Sequence, residues 1–318
     1  MEKNNKSKYV KFIITVIILL SWISFDLFSQ NTVKSKLVYE WYTPDNQSSY
    51  PAVLVLGGAE GGLNYGQQWA KVLTKNGFGV MALAYFGVKG LDEQLEEIPY
   101  EYFQSALDTL KTFKGVKSDR ISIISVSKGT EIAFLLAIEN KSIRLVIAAS
   151  PSNVIWQSIN QANYGSVKSS WTKGGKPLPF VPYDYKNGFY PLVNLYMGVL
   201  NNPIDEETII PLEKSNTKIV LFSGGQDQVW PSKYMSDAIS NRLKTKHHDG
   251  FLLYYNYPFA GHGFLIPFQS ADEKKKIMKS LAPNINFLGG TVEAYDEAMT
   301  ESYKIVLNEL LKLKNDNF

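Results

Sequence analysis

Seven apolar, β-rich runs set the tightest constraint on this chain: residues 37–42, 52–56, 79–84, 121–126, 145–149, 219–223 and 251–257. Helix-patterned segments at 67–75, 100–112, 129–139, 233–243 and 293–313 fall between several of them. Continuous apolar strands need burial on both faces, and the intervening amphipathic helices are what cover them. The expected fold class is therefore α/β, a mostly parallel central sheet with helices on both faces. A length of 318 residues suits one such catalytic domain, here residues 31–318.

One stretch breaks the rhythm. Residues 152–212, between two sheet strands, are rich in Pro, Gly and aromatics, among them Trp156, Trp171, Phe180, Tyr183 and Tyr190. Sixty residues exceed what a simple crossover needs. The segment reads as a lid-like insertion over the carboxyl edge of the sheet, the side on which such folds take their ligands. With 17 Phe, 19 Tyr and 6 Trp, the chain can fill a large core and still line an apolar pocket.

The first thirty residues read as a separate object. Lys3, Lys6, Lys8 and Lys11 precede an apolar run at 12–25, followed by Asp26 and the small Ser29. A charged start, a short apolar centre and a polar exit predict an export signal, with an uncleaved N-terminal anchor as the alternative. The remainder holds 29 basic and 28 acidic side chains, so no basic footprint for nucleic acid is present. There is no cysteine, which excludes a thiol nucleophile, a disulfide and a Cys-ligated metal. The expected localisation is exported.

Reactive chemistry concentrates at three places. The run ending Ser125-Val126-Ser127-Lys128-Gly129 leads at once into a helix, the strand–turn–helix context of a G-x-S-x-G nucleophile elbow with Ser125 at the first Gly position. Ser127 is the candidate nucleophile, and Glu131 in the first helical turn suits the dipole. The strand ending in Gly57-Gly58-Ala59-Glu60-Gly61-Gly62 lacks Gly-Lys-Ser/Thr, so it is no P-loop, and Ala59 breaks a dinucleotide fingerprint. In an α/β-hydrolase this loop and the residue after the nucleophile supply the oxyanion hole, which assigns its backbone donors to Ala59 and Lys128. Finally, strands end in Gly224-Gly225-Gln226-Asp227 and before Gly261-His262, so Ser127, Asp227 and His262 follow the hydrolase chain order. Only three histidines exist, and His247 with His248 lies in a polar turn.

At these residues the chain resembles the C-terminal catalytic domain shared by acyl-CoA thioester hydrolases and the bile acid-CoA:amino acid N-acyltransferase. The resemblance rests on Gly57 to Gly62, on Gly77-Phe-Gly-Val-Met-Ala-Leu-Ala-Tyr-Phe-Gly87 and on Ser127-Lys-Gly-Thr-Glu131. It continues through Ile210-Pro-Leu-Glu213, Gly225 to Trp230, Gly261-His262 and Gly289-Gly-Thr291. It implies a dienelactone-hydrolase-like α/β-hydrolase fold and a thioesterase or acyltransferase with a Ser/Cys–Asp–His triad, carried here by Ser127, Asp227 and His262. Serine in place of cysteine favours hydrolysis over amide synthesis in that resemblance.

The expected reaction is hydrolysis of an ester or acyl thioester through an acyl-enzyme on Ser127, with His262 as base and Asp227 orienting it. Gly58, Glu60, Trp156, Trp171 and Trp230 are candidate substrate-binding residues. Lys128, Lys168, Lys173 and Lys176 are the candidate contacts for coenzyme A phosphates. No cofactor and no metal are expected, and the partner is a small-molecule ester or thioester. The alternatives are a carboxylesterase acting on exported esters, an acyltransferase, and a binding protein on a hydrolase scaffold.

Overall fold

The computed structural model describes residues 36–45, 47–247 and 252–315, so the expected export segment at 1–30 lies outside the described residues. The strands are β1 (Val38–Tyr42), β2 (Tyr50–Leu56), β3 (Gly79–Ala84), β4 (Ile98–Pro99), β5 (Val116–Val126), β6 (Ile143–Ala149), β7 (Trp171–Lys173), β8 (Lys176–Pro177), β9 (Lys218–Gly224) and β10 (Leu252–Tyr257). The helices are α1 (Asn64–Leu73), α2 (Tyr100–Thr112), α3 (Gly129–Glu139), α4 (Asn194–Leu200), α5 (Ser232–Thr245), α6 (Ala271–Leu281), α7 (Ile285–Leu288) and α8 (Val292–Lys314).

Seven strands form one sheet in the order β1-β3-β2-β5-β6-β9-β10. Every neighbouring pair is parallel except β1 with β3. The pleat splits each strand between two cores. In β2, Ala52, Leu54 and Leu56 join α2, α3 and α5 on one face, while Val53 and Val55 join α1, α6 and α8 on the other. That is why the strands read as unbroken apolar runs: both faces are covered. The architecture is an α/β-hydrolase fold, and residues 36–318 cluster as one unit.

The insertion has more structure than its sequence suggested. It contributes β7 and β8, which join β4 in a small three-stranded sheet, and the helix α4. Its aromatics form a third core of Val154, Trp156, Val181, Leu195 and Tyr196 packed on Trp230 and Met235.

Candidate active site

β5 runs into Ser127, which adopts φ +52°, a left-handed conformation that a serine holds only when its surroundings enforce it. Those surroundings are specific. Ser127 N–H donates to Ala149 O at the end of β6 (2.9 Å), and Ser127 O accepts from Thr130 N–H (3.0 Å) and Thr130 Oγ1 (2.7 Å). Gly129 opens α3 so close to the neighbouring loop that a Cβ there would sit 2.2 Å from Gly57 O. Only glycine fits that approach. Ser125, by contrast, is buried in the sheet with its hydroxyl donating to Ile147 O (3.3 Å), out of reach of any reaction.

His262 and Asp227 meet at the ends of β10 and β9: His262 Nδ1 lies 2.9 Å from Asp227 Oδ2. The other oxygen, Oδ1, accepts from Val229 N–H (3.0 Å) and Trp230 N–H (3.1 Å), which fixes the carboxylate. With Nδ1 held by the carboxylate, Nε2 is the nitrogen left for proton exchange. The loops interlock around this pair. His262 N–H and Gln228 N–H both donate to Leu288 O (3.0 and 3.2 Å), and Tyr295 donates its hydroxyl proton to His262 O (2.6 Å). Gly289 closes the lock at φ +87°, where a Cβ would fall 1.8 Å from Gln226 O. Burial pushes the Tyr295 phenol well up, so it remains a neutral donor.

A chain of hydrogen bonds joins the Ser127 turn to the histidine loop. Ala149, bonded to Ser127, is followed by Ser150, whose hydroxyl accepts from Gly263 N–H (3.2 Å) and whose carbonyl accepts from Trp230 Nε1 (3.1 Å). The indole of Trp230 stands edge-on to His262 with centroids 5.9 Å apart. Ser127, Asp227 and His262 thus share the carboxyl edge of the sheet.

Gly58 and Glu60 belong to the same place. The point a Gly58 Cβ would occupy is 2.9 Å from both Ser127 Cβ and Glu60 Oε2. Gly58 N–H donates to both Glu60 oxygens (2.9 and 3.0 Å), so that donor is already engaged and Ala59 is the next backbone N–H along the loop. Tyr85 anchors the loop from below, donating to Gly57 O at 2.6 Å. Sequence reasoning passed over Tyr85, Ser150 and Tyr295 as site residues. The first and last were visible only as a motif aromatic and a helix residue.

Several expected contacts are corrected by burial. Trp156, Trp171 and Trp230 are all sealed in the interior, and each indole N–H is bonded within the protein: Trp156 to Met235 Sδ (3.4 Å), Trp171 to Glu131 Oε2 (2.7 Å) and Trp230 to Ser150 O. Buried as they are, they offer no face to a substrate. Lys128 is buried too, paired with Glu131 at 2.8 Å, so its side chain is not a phosphate contact. Lys168 pairs with Glu96 (3.0 Å) and Glu97 (2.9 Å), and Lys173 with Glu139. Among the described residues, no group of His, Asp and Glu has the makings of a metal site, and no helix is long and apolar enough to cross a membrane.

Residues 98–312 match the family described as BAAT / Acyl-CoA thioester hydrolase C terminal. The chain belongs to that family. It is 28% identical over 221 residues to the mitochondrial acyl-coenzyme A thioesterase 2 of Mus musculus, covering 70% of this chain and 46% of that protein. It is 25% identical over 268 residues to acyl-coenzyme A thioesterase 6 of Homo sapiens, covering 83% and 60%. The chain therefore spans about half the length of the curated relatives it matches. Among solved structures, a dienelactone hydrolase-like promiscuous phosphotriesterase from metagenomic libraries superposes with TM-score 0.53 at 14% identity, covering 88% of this chain and 93% of that one. An α/β hydrolase from a Medee basin deep-sea metagenome library gives 0.50 at 14% identity, covering 88% and 99%. At such identities the likeness concerns the fold. In this family member, the Ser127 turn and the Asp227–His262 pair stand at the edge where α/β folds place ligands.

Proposed function

We propose that this chain is a serine acyl hydrolase that cleaves an ester or acyl thioester through an acyl-enzyme. The observation that carries the reading is the fixed Asp227–His262 contact, whose histidine loop bonds Ser150 just past the β6 end that accepts the N–H of the strained Ser127. Ser127 Oγ adds to the substrate carbonyl as its proton passes to His262 Nε2. The imidazolium then returns that proton to the departing thiol or alcohol. Water, deprotonated by the same nitrogen, attacks the acyl-enzyme and releases the acid. Backbone N–H groups of Ala59 and Lys128 stabilise the oxyanion, aided by the positive end of α3.

The relatives' names point to acyl-CoA as the thioester substrate. A specific observation favours esters beside it: three of the four lysines available for coenzyme A phosphates are engaged with carboxylates of this chain. Exposed aromatics near the histidine loop and the insertion, Phe259, Phe287, Tyr190 and Phe189, suit an apolar acyl or aryl group.

A fluorophosphonate label with an ester and thioester panel tests the reading. Ser127→Ala should lose all labelling and about ten-thousandfold or more in turnover while remaining folded. Ser125→Ala should keep turnover within about threefold, since its hydroxyl only bonds the sheet. Activity surviving Ser127→Ala but lost in Ser125→Ala would sink the assignment.

A further inference from the structure

The residue after a serine nucleophile needs only its backbone N–H for chemistry, yet here it is a lysine whose entire side chain is out of solvent. Lys128 Nζ lies 2.8 Å from Glu131 Oε1, with the side chains 1% and 0% exposed. Burying two charges is unfavourable unless their remaining donors and acceptors are satisfied. Here they are. Nζ also donates to Trp156 O (3.2 Å) and stands 5.7 Å from the centroid of the Trp171 ring. Glu131 Oε2 accepts from Trp171 Nε1 (2.7 Å), and the backbone N–H of Trp156 adds a further bond to the carboxylate. Trp156 O is held in turn by Ser170 Oγ (2.9 Å).

Each of those outside partners belongs to the insertion, whereas Lys128 caps α3 and Glu131 lies in its first turn. The pair therefore ties two separated points of the insertion to the peptide that follows Ser127. Desolvation pulls Lys128 down and Glu131 up, and the attraction and hydrogen bond between the two oppose both shifts.

We propose that Lys128 and Glu131 are positioning residues, which hold the Ser127–Lys128 peptide in its oxyanion-stabilising orientation by anchoring it to Trp156 and Trp171 of the insertion. The proposal rests on the acyl-hydrolase reading above. Seating of the insertion and geometry of the oxyanion hole become one event, because the same side chain serves both. Trp171 is the third member of the device, acting through Glu131.

The test uses the full chain, titrated to completion with a fluorophosphonate so that rates refer to competent sites only. Trp171→Phe keeps the ring and removes the N–H to Glu131. Lys128→Met/Glu131→Gln removes both charges at similar volume. With a short-chain p-nitrophenyl ester, kcat per titrated site should fall about tenfold in the first and about a hundredfold in the second, with KM within about threefold. A merely structural role would lower the titratable fraction and leave kcat per site within about twofold, and that result overturns the proposal. Should the double variant fail to fold, Trp171→Phe alone decides. Wild-type protein that neither labels nor turns over would remove the acyl-hydrolase reading itself, whereas active wild type with unaltered variants removes only this inference.

Discussion

At the scale of single residues, two kinds of constraint hold the site, and one substitution separates them. Gly289 has a positive φ and also faces Gln226 O so closely that no side chain fits. Gly90 has φ +95° with nothing within 4 Å of its missing Cβ. Gly90→Ala should therefore cost only the backbone strain, about 1 kcal/mol. Gly289→Ala should cost about 2–4 kcal/mol, because the Asp227 loop must also move. It should lower kcat at least about tenfold in the folded fraction through misplaced His262 and Asp227. Urea midpoints and kcat for the two variants check both halves. Lys128 carries a residue-scale lesson as well. Its place after the candidate nucleophile pointed to phosphate contact, and Glu131 read simply as an acid suited to the helix dipole, but tertiary packing turned both inward and paired them.

At the scale of elements, the insertion is held by a carboxylate it does not own. Glu96, just before β4, accepts from Ser158 Oγ (3.3 Å), Asn160 Nδ2 (3.1 Å) and Ser166 Oγ (2.7 Å) and pairs with Lys168. Burial alone would raise its pKa, but the Ser166 hydroxyl, the Asn160 amide and the Lys168 ammonium together lower it from 4.5 to about 2. A depressed carboxylate stabilises the folded state above its unfolded pKa, and the contribution fades as pH falls from about 4.5 towards 2. Amide protection across residues 157–170 should therefore decline over that window in wild type. Glu96→Gln should show the lower protection already at pH 6 and little further change, as hydrogen exchange corrected for intrinsic rates will reveal. Elsewhere the elements follow their local signals: α2 and α3 span the residues expected of them, α2 as an amphipathic helix and α3 as one apolar nearly all round. The helix α6 was legible and missed. Ser270 accepts from Glu273 N–H at its start, the Ser-x-x-Glu signature of a helix N-terminus, and Ile277, Met278 and Leu281 turn one apolar stripe onto the second core of the sheet.

At the scale of the whole molecule, charge placement discriminates between leaving groups. A site built for coenzyme A needs cations free to meet several phosphates, and their pull weakens as salt screens it. Lys168 and Lys173 are held by Glu96, Glu97 and Glu139, and Lys128 is sealed inside. Short or aromatic esters should accordingly match or exceed acyl-CoA in kcat/KM, with little change between low and high ionic strength. An acyl-CoA preference of about a hundredfold, falling steeply with salt and lost in a Lys173→Ala/Lys176→Ala variant, would place the phosphate contacts in the insertion after all.

What the sequence determined by itself is the chemistry that neighbours along the chain can encode. Continuous apolar runs specified a sheet buried on both faces, Ser127 in its strand–turn–helix setting marked the elbow, and the strand ends located Asp227 and His262. Only the tertiary structure decided which of these groups meet and which polar side chains leave water. Trp171 bonds Glu131 across 40 residues, and Tyr295 bonds His262 across 33. Burial and pairing at such separations depend on how the insertion and the last helix pack against the sheet edge. No local pattern carries that information, because the free energy of a buried charge is set by every group that surrounds it in space.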